Sequence, residues 1–166
     1  GDAPRLRYVF DVADTRTTER SRSPYLWEYR PEHEEFVSNA LGQQYSIQYN
    51  GDFADQLEQI SSVKVTEYFL AHEQDIVDGS YLERYHDYDK GVAFLNAATV
   101  STTYMLLSRC GLAENAHFGP EDFMPVFDFN TPQTVDALGS AISGISEEIL
   151  RNIEVTIKKY EREKLP

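Results

Sequence analysis

The chain has 166 residues, of which 41% are hydrophobic and 13% aromatic. This apolar content excludes wholesale disorder, and the length suits one domain with a substantial core. The formal net charge is −13 at pH 7, which disfavours direct binding to the phosphate backbone of nucleic acids. The single cysteine excludes an intramolecular disulfide framework.

The sequence shows no pattern typical of a membrane span or a signal peptide. No apolar run reaches the roughly 18 residues that a membrane span needs, and the N-terminus lacks a signal-peptide layout. One cysteine also fits a reducing compartment. We therefore expect a cytoplasmic protein with no membrane partner.

The charge is unevenly distributed along the chain. Residues 1–30 hold six arginines against five acidic residues, whereas residues 31–166 hold nine lysines and arginines against 23 acidic residues. The acidic part is not expected to bind duplex DNA by itself. It is better suited to basic protein surfaces, including other domains of its own chain.

The first 15 residues have the pattern of a β-strand, because Tyr8, Phe10 and Val12 recur with period two. One strand cannot form a sheet alone. We therefore interpret residues 1–15 as the last strand of a truncated upstream domain. Residues 16–23 contain no hydrophobic residue and are predicted to be a basic linker, followed by a helical domain over residues 24–166.

Helix signals follow in chain order. Ser23 and Pro24 offer a helix start before an aromatic turn, and a helix over residues 32–41 is predicted to end at Gly42. Asp52 is the predicted N-cap of a helix over residues 53–76. A break follows at residues 78–80, and residues 81–88 are either a short helix or an ordered loop.

The most apolar run covers residues 91–110 and lacks a polar face, which predicts a central buried helix. Its β-branched cluster at residues 99–103 favours a strand, but the length of the run decides for a helix. Gly111 is a natural stop. The predicted fold is all-α, an irregular helical bundle of about five to seven helices with one stray N-terminal β-strand.

The last third of the chain contains two further helix starts. A short helix is predicted after Gly119 and Pro120, and a long one after Thr131 and Pro132. The long helix has apolar residues spaced by threes and fours, which predicts one stripe packed on the core. These residues are Val135, Leu138, Ile142, Ile145, Ile149, Ile153, Ile157 and Tyr160.

Metal-binding patterns are weak. Two Glu-x-x-His pairs, Glu83 with His86 and Glu114 with His117, resemble half of the ligand set of ferritin-like bundles. The second pair falls in a predicted loop, and 28 acidic residues produce chance matches. Residues 87–91 resemble the start of a calcium loop, but the glycine is misplaced and Ala98 occupies the position of the bidentate glutamate. No metal site is predicted.

Catalytic patterns are weak as well. His72 and Asp75 are better explained as a solvated pair, and Cys110 as a small buried hydrophobe. The sequence has no P-loop, dinucleotide fingerprint, zinc-protease motif or nucleophile elbow. We therefore predict no catalytic residue and no cofactor.

A weak nucleic-acid site is conceivable near the N-terminus, where arginines are followed by aromatic residues that can stack on single-stranded bases. An exposed basic linker and packing aromatics are the simpler interpretation. The residues of this candidate site are Arg5, Arg7, Arg16, Arg20, Arg22, Tyr25, Trp27 and Tyr29.

The opening segment, residues 4–15, resembles the close of the N-terminal domain of ArdC-type anti-restriction proteins, where a Val-Phe-Asp-Val strand recurs. The remainder resembles one region of very large proteins carried by plasmids and integrative conjugative elements of Firmicutes. Those proteins join an ArdC-like N-terminus to helicase-like and DNA-methylase-like regions. The segments that carry this second resemblance are residues 24–27, 76–83, 98–104, 108–111, 121–123 and 127–132.

The resemblance implies a segment that follows a single-stranded-DNA-binding head and precedes the catalytic regions of such a protein. None of the family's catalytic motifs falls in this segment. We expect a non-catalytic helical connector or partner-binding domain. Two alternatives are a single-stranded-DNA-binding module that acts with the upstream domain, and an acidic DNA mimic with an anti-restriction role.

Overall fold

The computed structural model describes residues 27–165, and every regular element in this part of the chain is helical. Four α-helices, named α1 to α4 in chain order, cover Glu34–Tyr45, Phe53–Val77, Asp87–Arg109 and Pro132–Lys164. Four 3-10 helices cover Pro31–His33, Tyr81–Arg84, Ala113–Asn115 and Pro120–Asp128. The all-α prediction is confirmed for this range. The predicted strand at residues 1–15, the linker at residues 16–23 and the helix start at Ser23 lie outside it.

Helix α3 is the centre of the fold, as the apolar run predicted. It packs against α2, against α4 and against the 3-10 helix Pro120–Asp128. Phe94 of α3 is fully buried and contacts Phe69 of α2 and Phe129, with ring centroids 5.6 and 6.1 Å apart. Burying such aromatic side chains contributes about 1.5–3 kcal/mol each. The helix begins at Asp87, one turn earlier than predicted, and acidic residues occupy its first turn.

Two predicted helix starts have side-chain caps, the predicted one at Asp52 and a further one at Thr131. The Asp52 carboxylate accepts a hydrogen bond from the backbone N–H of Asp55 at 3.1 Å, and α2 begins at Phe53. The Thr131 hydroxyl accepts from the backbone N–H of Thr134 at 3.2 Å at the start of α4. Each cap satisfies a backbone donor that the helix itself leaves unpaired.

Helix α4 presents the predicted apolar stripe to the core. Its buried residues include six of the eight that were predicted, whereas Val135 and Tyr160 are half-buried. In residues 27–165, no helix is both long enough and apolar enough to cross a lipid bilayer.

The prediction that Gly42 ends the first helix is wrong. Helix α1 continues through Gly42 to Tyr45, and Ser46 ends it with a left-handed φ of 58°. A Cβ atom at Gly42 would lie 3.0 Å from the carbonyl oxygen of Ile47. The glycine therefore allows the following loop to fold closely against α1 and does not terminate the helix.

The space around two helical glycines predicts different effects of alanine substitution on stability. We expect Gly139→Ala in α4 to stabilise the protein by up to about 1 kcal/mol, because nothing lies within 4 Å of the new methyl group and alanine favours helix. Gly42→Ala should lack this gain, because its methyl group meets a backbone oxygen. Urea unfolding followed by circular dichroism measures both variants. An equal gain for Gly42→Ala would contradict the close approach.

Candidate partner-binding groove

A groove lies between α2, α3 and the 3-10 helix Pro120–Asp128, and we call it the acidic groove. Its volume is about 610 Å³. The acidic residues on its walls are Asp55 and Glu58 from α2 and Glu121 and Asp122 from the 3-10 helix. The apolar residues that line it are Leu95, Val100, Phe118 and Pro125.

The carboxylates of Asp55 and Asp122 accept hydrogen bonds from neighbouring amide groups, but no cation among the described residues neutralises the charge in this groove. Neither Glu58 nor Glu121 has an ion-pair partner within residues 27–165, and none of the lysines and arginines in that range lines the groove. Desolvation by neighbouring atoms raises the pKa of the exposed Glu58, and the carboxylates of Asp55 and Asp122 raise it further, whereas His117 opposes this shift. A cation placed here would therefore offset the repulsion among these carboxylates and favour the charged form of Glu58.

The 3-10 helix that forms one wall of the groove also carries an exposed apolar ridge. With three residues per turn, side chains three positions apart lie in one row. Glu121, Met124 and Phe127 therefore form one row, and Glu121 lines the groove. Met124 is 61% exposed and Phe127 is 68% exposed. We call these two residues the apolar ridge.

The sequence did not single out these residues. Glu121 and Asp122 fall in the first turn of a predicted short helix, and Asp55 and Glu58 fall in the predicted helix over residues 53–76, but neither pair was assigned a role. The one available signal was the spacing Glu121, Met124, Phe127, which has meaning only when the segment is a 3-10 helix. In an α-helix the row would turn by about 60° at each of these steps, so Phe127 would point away from Glu121.

Of the predicted nucleic-acid residues, only Trp27 and Tyr29 lie in the described part of the chain. Both are buried in the core. The Arg109 guanidinium lies 3.8 Å from the Trp27 ring centroid and donates a hydrogen bond to the Trp27 carbonyl oxygen at 3.0 Å. Tyr29 stacks on Phe53 with ring centroids 5.3 Å apart. Both rings therefore act as packing residues in this fold, which was the simpler interpretation.

The remaining candidates lie before the described range, and the structure does not place them. They are Arg5, Arg7, Arg16, Arg20, Arg22 and Tyr25.

A buried histidine ties the N-terminal segment to the end of α4. His33 Nδ1 accepts a hydrogen bond from the backbone N–H of Arg30 at 3.0 Å, and His33 Nε2 lies 2.6 Å from Glu161 Oε1. A backbone N–H can only donate, so Nδ1 must be unprotonated. The neutral ring therefore carries its proton on Nε2 and donates it to Glu161.

Glu32, His33 and Glu161 are the group in residues 27–165 whose ligand atoms lie close enough to hold a metal ion. The tautomer of His33 opposes this role. A metal-ligating histidine donates its second ring N–H to an acceptor, whereas Nδ1 of His33 faces a donor. Glu32 is already paired with Lys164 at 3.0 Å. The group is therefore better explained as a network that joins two segments.

The two Glu-x-x-His pairs do not form a metal cluster with each other within residues 27–165. His86 precedes α3 as its exposed N-cap residue. His117 is exposed and lies 3.6 Å from Asp52. His72 marks a kink in α2, where its ring Nδ1 lies 3.0 Å from the carbonyl oxygen of Tyr68.

A second groove of about 730 Å³ lies beside the N-terminal segment. Trp27 lines it, together with three cations and two acidic residues. These charged residues are Arg30, Lys158, Arg162, Glu28 and Glu161. Its mixed charge contrasts with the acidic groove.

Comparisons of the chain with protein-family models, with curated proteins and with solved structures find no match.

The His33 network predicts a stability change. We expect His33→Ala to destabilise the protein by about 2–3 kcal/mol, because it removes a buried ring and leaves the Arg30 N–H without its acceptor. Glu161→Gln is the matched control, since its amide oxygen still accepts from Nε2, and it should cost less than about 1 kcal/mol. Urea unfolding measures both. Equal stability of His33→Ala and the unaltered protein would contradict the network.

Cys110 predicts slow thiol chemistry. It is buried, and burial raises the pKa of its thiol to about 12. At pH 8 the folded protein should therefore react with a thiol-specific reagent far more slowly than the urea-unfolded protein, in which the pKa returns to about 8.5. Stopped-flow labelling with a chromogenic disulfide measures both rates. Equal rates would show that the thiol is accessible.

Proposed function

We propose that this chain is a non-catalytic helical connector or partner-binding domain of a large mobile-element DNA-processing protein. In this proposal the parent protein carries helicase-like and methylase-like regions and acts in the cytoplasm. The partner is another domain of that protein or a separate basic protein surface. The proposal joins the family resemblance to the position of the two ends of the described chain.

The observation that carries the connector role is the junction between the N-terminal segment and the end of α4. Lys164 Nζ lies 3.0 Å from Glu32 Oε2, and His33 lies against Glu161 one turn earlier in α4. A domain whose two ends lie together can be inserted between flanking regions without separating them. In a longer chain of the kind that the resemblance implies, this domain would project from the flanking regions. The surface away from the junction would then be exposed to partners.

The residues that carry the resemblance also support a structural role. Among them are Trp27, Leu82 and Phe129, which are buried in the core. Two interior side chains of residues 27–165, the Cys110 thiol and the His33 imidazole, have structural roles. Cys110 is a buried thiol with a raised pKa, and His33 has both ring nitrogens in hydrogen bonds.

Single-stranded DNA binding is the second candidate. It is favoured by the groove beside Trp27, where Arg30 and Arg162 could contact phosphates. The acidic residues Glu28 and Glu161 in the same groove and the burial of the Trp27 ring oppose it. We therefore assign any DNA binding to the upstream domain.

Fluorescence anisotropy with a labelled single-stranded oligonucleotide separates these candidates. We expect no tight binding by the 166-residue chain at about 50 mM salt, and binding by a chain extended upstream that weakens strongly at about 200 mM salt. The extended chain is the positive control. Tight, salt-sensitive binding by the 166-residue chain alone would contradict the connector proposal and support a DNA-binding module.

A further inference from the structure

We propose that the acidic groove and the apolar ridge together bind a basic amphipathic helix of a protein partner. This inference rests on the proposed partner-binding function and specifies the chemistry of the partner. An amphipathic helix of this kind carries leucine-like residues on one face and lysines or arginines along its flanks.

The apolar half of the surface provides the anchor. Leu95 and Val100 of α3 line the floor of the groove, and Phe118 and Pro125 line its side. Met124 and Phe127 continue outward from Glu121 along the same row and are largely exposed. A flexible methionine beside an aromatic ring is suited to apolar residues of varied shape.

The charged half of the surface favours a partner whose contacting surface is positively charged. Four carboxylates face the same groove from α2 and from the 3-10 helix, and no cation among residues 27–165 lines it. This arrangement repels phosphates, which excludes nucleic acids and anionic lipid surfaces as preferred occupants. Lysines or arginines that flank an apolar stripe complement it.

The form of the groove favours a helix over an extended peptide. An extended peptide gains most of its affinity by adding to the edge of a sheet, and residues 27–165 contain no strand. The walls are instead helices α2 and α3 and the 3-10 helix. Ridges of side chains on such walls accept the ridges of a further helix.

The test uses the complete 166-residue chain and a designed probe. The probe is a fluorescein-labelled peptide of about 18 residues, long enough for five helical turns, with leucines at positions i, i+3, i+4 and i+7 and lysines on both flanks. A scrambled peptide of the same composition lacks the apolar stripe. Fluorescence anisotropy gives the dissociation constants.

Two double variants remove the two halves of the surface separately. Glu58→Gln with Glu121→Gln removes charge, and Met124→Gln with Phe127→Ser removes apolar surface. The matched controls alter exposed residues elsewhere, Glu35→Gln with Glu163→Gln and the single variant Leu70→Gln. All of these positions are exposed, and circular dichroism confirms that each variant is folded.

We expect the stripe-bearing peptide to bind. Each groove variant should raise its dissociation constant at least about tenfold. The controls should change it by less than about twofold. Equal binding of the scrambled peptide, or equal losses in the groove and control variants, would reduce the effect to general acidity and overturn the inference.

A binding experiment with the flanking regions of the parent protein tests this inference separately from the proposed function. Association of those regions with the chain that is insensitive to both groove variants would leave the partner-binding function standing and overturn the groove as its site. Groove-dependent peptide binding supports the inference even where the flanking regions do not associate.

Discussion

The architecture depends on one constraint. Helix α3 is apolar on nearly every side, so other elements must shield nearly all of its surface from water. Helices α2 and α4 cover two sides with long apolar stripes. Among residues 27–165, the third side is covered mainly by the 3-10 helix Pro120–Asp128, which has no fully buried residue. Because this last cover is short and shallow, it leaves the acidic groove open beside α3 and keeps Met124 and Phe127 at the surface. The candidate binding site is therefore a consequence of how the central helix is covered.

A second feature fixes the opposite part of the molecule. The N-terminal segment is held to α3 through Trp27 and Arg109, and to α4 through His33 and Glu161. These contacts combine a buried histidine, a cation stacked on an aromatic ring and a hydrogen bond to a backbone carbonyl, so they are far more constraining than exposed ion pairs. Residues 27–33 are thus held against α3 and α4, whereas the acidic groove lies on α2, α3 and the 3-10 helix Pro120–Asp128.

Local patterns in the sequence were sufficient for most of the fold. The cap at Asp52, the Thr131–Pro132 start and the apolar periodicity predicted α2 and α4 closely, because each signal acts within one or two turns, and the length of the apolar run predicted α3. Gly42 was misjudged because its role depends on the approach of Ile47, a contact that no local pattern encodes. The candidate site was not predictable for a related reason. It depends on the 3-10 form of residues 120–128 and on the proximity of Glu58 to Asp122, which are distant in sequence.

The central claim is that partners bind at the acidic groove and not at the corner where the N-terminal segment meets α4. The most direct measurement is a map of backbone amide chemical shifts of the isotope-labelled 166-residue chain during titration with a basic amphipathic peptide. The account predicts that the shifts change along residues 55–62, 95–100 and 118–127. Changes confined to residues 27–33 and 155–165 would contradict it and would assign recognition to the groove beside Trp27.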